Sequence, residues 1–375
     1  VDAAERREEL THILRPAGGG VYVVSTGLAA QRALQRRIYE VVHDEAIDHA
    51  WRIGLERLDE ARVVLLGVPS DAGAGFVRGA NQGPAALRER LLSRAETPYL
   101  VDGVMDVGDV RVVPQLLSDE MLSAAQIAAT RRALYDRADV DLPVSPLDLC
   151  ARALEHLRVL APRAVPIVLG GDHSVAWPAF AAAMRGGRRL GLLHFDAHTD
   201  LLPERLGVRF CFATWAYHAN ELLGRDGRLV QVGIRRSGKP REHWESTLNV
   251  RQYWPEELAA RGHDAGAVAD EIIERFRARG VEAVYVSNDI DGTDASFAAA
   301  TGTPEPGGPA PAFVRDVTRR VLSAFPLAGA DLVEVAPPLG QGDPDEPERT
   351  LDVAAEYLDD LMAVALAGAD REGDR

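Results

Sequence analysis

Leu190-Gly-Leu-Leu-His-Phe-Asp-Ala-His-Thr-Asp200 decides how the rest of the chain is read. An apolar run leads into Asp196, His198 and Asp200, spaced i, i+2, i+4. Alternate side chains of a strand share one face, whereas on a helix the i+2 residue points away. The spacing therefore predicts a strand that runs out into a loop with two carboxylates and an imidazole converging at its C-terminal end. Such a donor set suits a hard-to-borderline metal ion.

Two further stretches repeat the device. Val281-Glu-Ala-Val-Tyr-Val-Ser287 is followed by Asp289 and Asp291, and Pro166-Ile-Val-Leu169 by Gly170-Gly-Asp-His173-Ser. Strands of a parallel sheet gather ligands outside their carboxyl ends. Asp196, Asp200, Asp289 and Asp291 would bring about four negative charges into one crevice, and like charges that close cannot all ionise without cations. Two divalent ions, with His173 and His198 as nitrogen ligands, satisfy the count and describe a two-metal hydrolytic site.

Outward from these stretches, strand-like and helix-like runs alternate. Arg62-Val-Val-Leu-Leu-Gly-Val-Pro69 reads as a strand buried on both faces, followed by a glycine-punctuated loop from Ser70 to Pro84 and a helix from Ala85. The loop lacks the spacing of a phosphate-binding motif and is read as a cover over a pocket. Residues 98 to 148 read as loop-rich with one helix, Met121 to Ala138, and a second helix covers Leu149 to Leu160. Later strands are expected at Gly187–His194, Arg228–Arg235, Val281–Asn288 and Ala330–Val335. Helices are expected at Ser174–Met184, Gly266–Arg279, Pro311–Phe325 and Leu351–Leu366, with a surface loop over Gln341–Arg349. Alternation of this kind predicts an α/β fold with a mainly parallel sheet covered on both faces. Residues 1–60, charged and helix-flavoured with a break at Pro16-Ala-Gly-Gly-Gly, read as an N-terminal extension to a domain over 61–375. His43 and His49 in that segment read as solvated helix residues.

The 375 residues carry a net charge of −15, which argues against nucleic acid or an anionic membrane as main partner and suits a small cationic one. Two cysteines, Cys150 and Cys211, give no disulfide framework, so a reducing cytoplasm is the expected compartment. No apolar run reaches membrane-spanning length, and the first residues do not have the shape of a signal peptide.

These motifs resemble those of the ureohydrolases: arginase, agmatinase and related guanidino-compound hydrolases. The resemblance rests on Gly67-Val-Pro-Ser-Asp-Ala-Gly-Ala-Gly, Arg78-Gly-Ala-Asn-Gln-Gly-Pro, Gly170-Gly-Asp-His-Ser, Asp196-Ala-His-Thr-Asp and Gln231-Val-Gly-Ile-Arg. It continues through Ser287-Asn-Asp-Ile-Asp-Gly-Thr-Asp, Thr301-Gly-Thr-Pro-Glu-Pro-Gly-Gly and Asp331-Leu-Val-Glu-Val-Ala-Pro. It implies a three-layer α/β/α fold, a two-manganese site, and trimers or hexamers. It carries His173, Asp196, His198, Asp200, Asp289 and Asp291 over as metal ligands, Glu334 as the partner of the substrate guanidinium, and Thr303 as a hydroxyl beside it. A carboxylate matches the forked donors of a guanidinium. Oxygen-rich ligation favours manganese, while affinity order also admits nickel.

Three departures bear on substrate and mechanism. The family's His-Gly, a proton carrier, is absent from Arg209-Phe-Cys-Phe-Ala-Thr-Trp-Ala-Tyr-His-Ala-Asn220; without a gap its histidine falls at Phe212, with His218 six residues further on. Ala295 replaces a proline, and Leu201-Leu-Pro stands where arginase grips an α-carboxylate. The leading expectation is an agmatinase-like hydrolase releasing urea, with Asp200, His218 and Glu334 as catalytic candidates. Guanidine or formiminoglutamate as substrate, or a metal-binding protein without turnover, are the alternatives.

Overall fold

The computed structural model describes residues 2–21, 25–75, 77–340 and 342–373, the last five by backbone alone. Tyr22–Val24 in the extension, Phe76 in the glycine-punctuated loop and Gln341 in the acidic loop lie outside the described residues.

Runs of β-branched and aliphatic residues become the strands of one sheet. In chain order they are β1 (Leu14–Arg15), β2 (Val63–Val68), β3 (Val104–Val110), β4 (Val165–Gly170), β5 (Leu190–Phe195), β6 (Leu229–Val232), β7 (Arg251–Tyr253), β8 (Ala283–Asp289) and β9 (Leu327–Val333). Their order across the sheet is β1-β3-β2-β4-β9-β8-β5-β6-β7. Every neighbouring pair is parallel except β1 with β3.

Burial on both faces explains why these strands read as continuous apolar runs rather than alternating ones. In β2, Val64, Leu66 and Val68 face one apolar layer, and Val63 and Leu65 the other. In β5, Leu190 and Leu192 share the first layer, Leu193 and Phe195 the second. Helices Pro146–Leu160, Ala176–Met184 and Trp215–Leu222 cover one face; Ala265–Ala278, Pro311–Ala324 and Glu346–Gly373 cover the other. This is the three-layer α/β/α arrangement.

Topology then places the chemistry. Strands β4, β9, β8 and β5 are adjacent and parallel, so the loops that carry His173, Glu334, the Asp289–Asp291 pair and Asp196–Asp200 leave the same edge of the sheet. Residues some 160 positions apart in sequence meet because β8 and β9 fill the gap between β4 and β5.

Three strands differ from the sequence expectation. β3 lies in the stretch read as loop-rich, because Asp106, Gly108 and Asp109 interrupt its apolar pattern. Those carboxylates are buried against Arg88 of helix Gly83–Ser93: Nε and Nη2 donate to Asp106 at 2.7 and 2.9 Å, Nη1 to Asp109 at 2.5 Å. Removing one partner from such a buried set typically costs about 3–5 kcal/mol. β1 belongs to the N-terminal stretch and pairs antiparallel with β3, while Trp51 of helix Ile47–Glu56 donates its indole N–H to the Val107 carbonyl at 2.9 Å. β7 is three residues long, too short for a periodic signal. The helix expected at Met121–Ala138 is shorter, Ala124–Tyr135, and the last helix begins at Glu346, inside the stretch read as a loop.

Candidate metal centre

The turns that carry the candidate ligands are fixed by side chain–backbone hydrogen bonds and by close backbone packing. At the end of β4, Asp172 accepts the Ser174 and Gly73 N–H groups at 2.8 and 2.9 Å, fixing the turn on which His173 sits. At the end of β8, Asp289 accepts the Asp291 N–H at 2.9 Å, so both carboxylates face the same crevice. The β8 loop packs directly on β5: a Cβ at Gly292 would stand 2.6 Å from the Asp196 nitrogen, which makes glycine obligatory there. Arg235, closing the Gln231-Val-Gly-Ile-Arg stretch, clamps that loop by donating to the carbonyls of Asp291 and Glu305, each at 2.7 Å. Asp200 and Glu334 adopt left-handed backbone, with φ of 51° and 61°. Non-glycine residues in such wells cost about 1–3 kcal/mol and cluster where a side chain must be aimed.

The six residues expected as ligands come together. His173 Nδ1 lies 3.3 Å from Asp196 Oδ2, 3.2 Å from Asp200 Oδ2 and 3.1 Å from Asp289 Oδ2. His198 Nδ1 lies 3.4 Å from Asp196 Oδ1 and 3.2 Å from Asp291 Oδ2. Asp196 thus offers one oxygen to each histidine, and it belongs to two overlapping groups that could each hold an ion: His173, His194, Asp196 and Asp200, and Asp196, His198 and Asp291.

Hydrogen-bond direction tests whether cations fit. Ser287 donates its hydroxyl hydrogen to Asp331 at 2.7 Å, and Tyr285 donates to the same carboxylate at 2.7 Å. Ser287 Oγ must therefore accept from His173 Nε2, 2.9 Å away. That places a ring hydrogen on Nε2 and points Nδ1, buried and without a hydrogen-bond partner, at three carboxylate oxygens. Burial opposes charge on this ring, yet Asp196, Asp200 and Asp289 raise its affinity for a second proton well above the ordinary value. Carboxylates crowded onto one buried nitrogen call for positive charge between them, supplied by a second ring proton or by a cation. A ligand histidine that donates its other N–H to an outer group is the usual arrangement around a metal.

The electrostatics point the same way. Burial, reinforced by Asp291 and Asp196, drives the Asp289 carboxyl well above its usual range, and burial with Asp196 raises Asp200. Burial opposes charge on His198, yet Asp291 and Asp196 outweigh it and push the imidazole up to about 12. A site that draws protons this strongly into a buried acidic crevice is one that divalent cations would neutralise.

Glu334 and Thr303 border the cluster. Glu334 Oε1 accepts the His173 N–H at 2.9 Å, and burial together with Asp172 raises its carboxyl well above the ordinary range. Thr303 donates its hydroxyl to Asp291 Oδ2 at 2.8 Å. His218 is placed differently. Its Nε2 lies 3.1 Å from the carbonyls of both Pro203 and Arg209, and its ring packs against Trp177, Phe210 and Tyr217. Phe212 lies against the glycine loop, its N–H donating to the Gly73 carbonyl at 3.1 Å.

Several neighbours escaped the sequence reading. Trp215 donates its indole N–H to Asp200 Oδ2 at 3.0 Å, and its ring lies 4.6 Å from that of His173. His194 lies 2.9 Å from Asp196 Oδ2. Its signal was present, since it stands two residues before Asp196 and so shares its strand face. Nothing in the spacing points to Trp215.

Residues 61–364 match the model of the arginase family. The chain belongs to the arginase family. N(1)-aminopropylagmatine ureohydrolase of Thermus thermophilus is 33% identical over 279 residues, covering 74% of this chain and 84% of that protein. Agmatinase of Chromobacterium violaceum is 33% identical over 313 residues, 82% of this chain and 84% of that one. Among solved structures, proclavaminate amidino hydrolase from Streptomyces clavuligerus superposes with a TM-score of 0.63 at 28% identity, covering 82% of this chain and 92% of its own. Membership in the arginase family agrees with a binuclear reading of the buried His/Asp cluster.

Proposed function

We propose that the protein is an agmatinase-like hydrolase of a small guanidino compound, cleaving a C–N bond of a linear amidine and releasing urea. The observation that carries this reading is the convergence of Asp196, Asp200 and Asp289 on the buried Nδ1 of His173, which has no hydrogen-bond partner. Two divalent ions would be held by His173, Asp196, His198, Asp200, Asp289 and Asp291, manganese first and nickel second. Bound there, such ions supply a nucleophile at neutral pH, which a guanidinium carbon needs because its charge is delocalised over three nitrogens.

The chain's own residues do the rest. Glu334, aimed by its left-handed backbone, accepts two guanidinium N–H groups and orients the carbon. Thr303 borders the same position and steadies Asp291. The departing amine requires a proton; Asp200 is the carrier proposed, with His218 as the alternative. The relatives act, by name, on agmatine and its aminopropyl derivative, which supports a guanidine with an extended tail over free guanidine. Residues 1–60 are proposed as an extension to a catalytic unit over 61–375, working as a cytoplasmic homotrimer or homohexamer. No helix among the described residues is long and apolar enough to cross a membrane.

A panel of guanidines assayed for urea, after loading with manganese and then with nickel, tests the reading. Urea from at least one of them is expected. Two bound ions with no urea from any substrate would leave a metal-binding protein without turnover.

A further inference from the structure

His194 poses a question that distance alone does not answer. Its ring is fully buried and close enough to His173, Asp196 and Asp200 to be counted a ligand with them. The direction of the hydrogen bonds behind it decides otherwise. His194 pairs across the sheet with Gln231 of β6, and Gln231 with Gln252 of β7, so the three side chains form a row running from the sheet edge to the metal centre. All three are fully buried, where an amide with unmet hydrogen bonds is costly.

The row has a fixed polarity. The indole Nε1 of Trp254 has a hydrogen and no lone pair, so it donates to Gln252 Oε1 at 2.9 Å. That turns Gln252 Nε2 towards Gln231 Oε1, 2.8 Å away. Gln231 Nε2 then donates to the Thr199 carbonyl at 2.7 Å and to His194 Nδ1 at 2.9 Å. An indole that can only donate and a peptide carbonyl that can only accept sit at the two ends, and both require the same orientation of Gln231. Nδ1 of His194 is therefore an acceptor, and the ring hydrogen lies on Nε2, aimed at Asp196 Oδ2 at 2.9 Å.

We propose that Trp254, Gln252 and Gln231 form a one-way relay that fixes His194 as its Nε2–H tautomer, making it a positioning residue for Asp196 and barring it from ligating a metal. The inference rests on the metal-site reading above. Nε2 bears a hydrogen and has no lone pair for a cation, and its donation takes up one lone pair of the carboxylate that both ions would share. Asp196 keeps its remaining lone pairs for the sites at His173 and His198. The rings of His173 and Trp215, with centroids 5.1 and 4.8 Å from that of His194, prevent it from turning over.

The experiment uses full-length protein labelled with ¹⁵N-histidine, metal-free and then loaded with diamagnetic zinc. The His194 signals are identified by their loss in His194→Asn. In wild type the hydrogen is expected on Nε2 in both states. Gln231→Glu replaces the donor by an acceptor, so the hydrogen should move to Nδ1. Manganese affinity by calorimetry should fall about 10–100-fold, the usual cost of losing an outer partner. An Nε2 without hydrogen and with the shift of a coordinated nitrogen in zinc-loaded wild type would overturn the proposal. So would an unchanged tautomer or affinity in Gln231→Glu. If that variant does not fold, the wild-type spectra alone decide. A wild type that takes up no metal would instead count against the metal site, and the metal-free spectrum would still test the relay.

Discussion

Asp291 Oδ2 and His198 Nδ1 meet at 3.2 Å although they follow different strands, β8 and β5, and lie far apart in the sequence. Asp291 also accepts the Ala197 N–H at 3.1 Å, so it is tied both to His198 and to the loop that carries it. Asp291→Ala should lose one of the two ions and bring turnover below detection. The fold should survive, because the change removes one buried charge from a crowd of four. Metal content by mass spectrometry, with circular dichroism as control, checks this. Full occupancy and activity would break the two-metal reading.

Glu334→Gln separates charge from shape. The amide keeps a carbonyl to accept the His173 N–H, so metal content should stay at its wild-type value. What disappears is the anionic partner of a guanidinium. Hydrogen bonds to charged groups contribute about 1.5–3 kcal/mol, so kcat/KM should fall at least about tenfold. An unchanged value would mean that the guanidinium is held elsewhere.

Removing the metals should loosen the whole sheet, since three of its strands, β4, β5 and β8, lead into the proposed ligands. Ligand that binds only the folded state stabilises it by about 4 kcal/mol at a thousand times Kd. Chelated protein should melt several degrees below the manganese-loaded form, with the difference restored by adding the ion back. Calorimetric scans of both forms make the comparison. Coincident melting curves would show that the carboxylates are balanced without an ion.

The buried His/Asp cluster was legible because a strand-end carboxylate signature needs only period-two spacing and an apolar run before it. Asp196, His198 and Asp200 have both, as do Asp289 and Asp291. β3 was illegible for the opposite reason: Asp106 and Asp109 look like loop residues until Arg88, eighteen or more positions earlier, arrives to pair with them. The relay behind His194 is a third kind of case. Gln231 and Gln252 carry no pattern of their own, and their meaning comes from the register of β5, β6 and β7. Register between parallel strands is set by long crossovers that leave no local trace.

The proton carrier remains the sharpest test of mechanism. A positioned histidine typically contributes ~10²–10⁴-fold to a proton transfer. His218 is the only histidine of the 209–220 stretch, yet its Nε2 is committed between the Pro203 and Arg209 carbonyls. Burial also lowers its tendency to hold a second proton, against those two carbonyls. Asp200, oriented by Trp215 and raised by burial, is placed within the cluster itself. His218→Asn should therefore leave kcat within about threefold of wild type and lower the melting temperature, because the variant loses a ring packed among Trp177, Phe210 and Tyr217. A fall of about a hundredfold or more in kcat, with metal content intact, would instead assign the proton to His218. The carriage would then pass through the loop that the family's His-Gly has vacated.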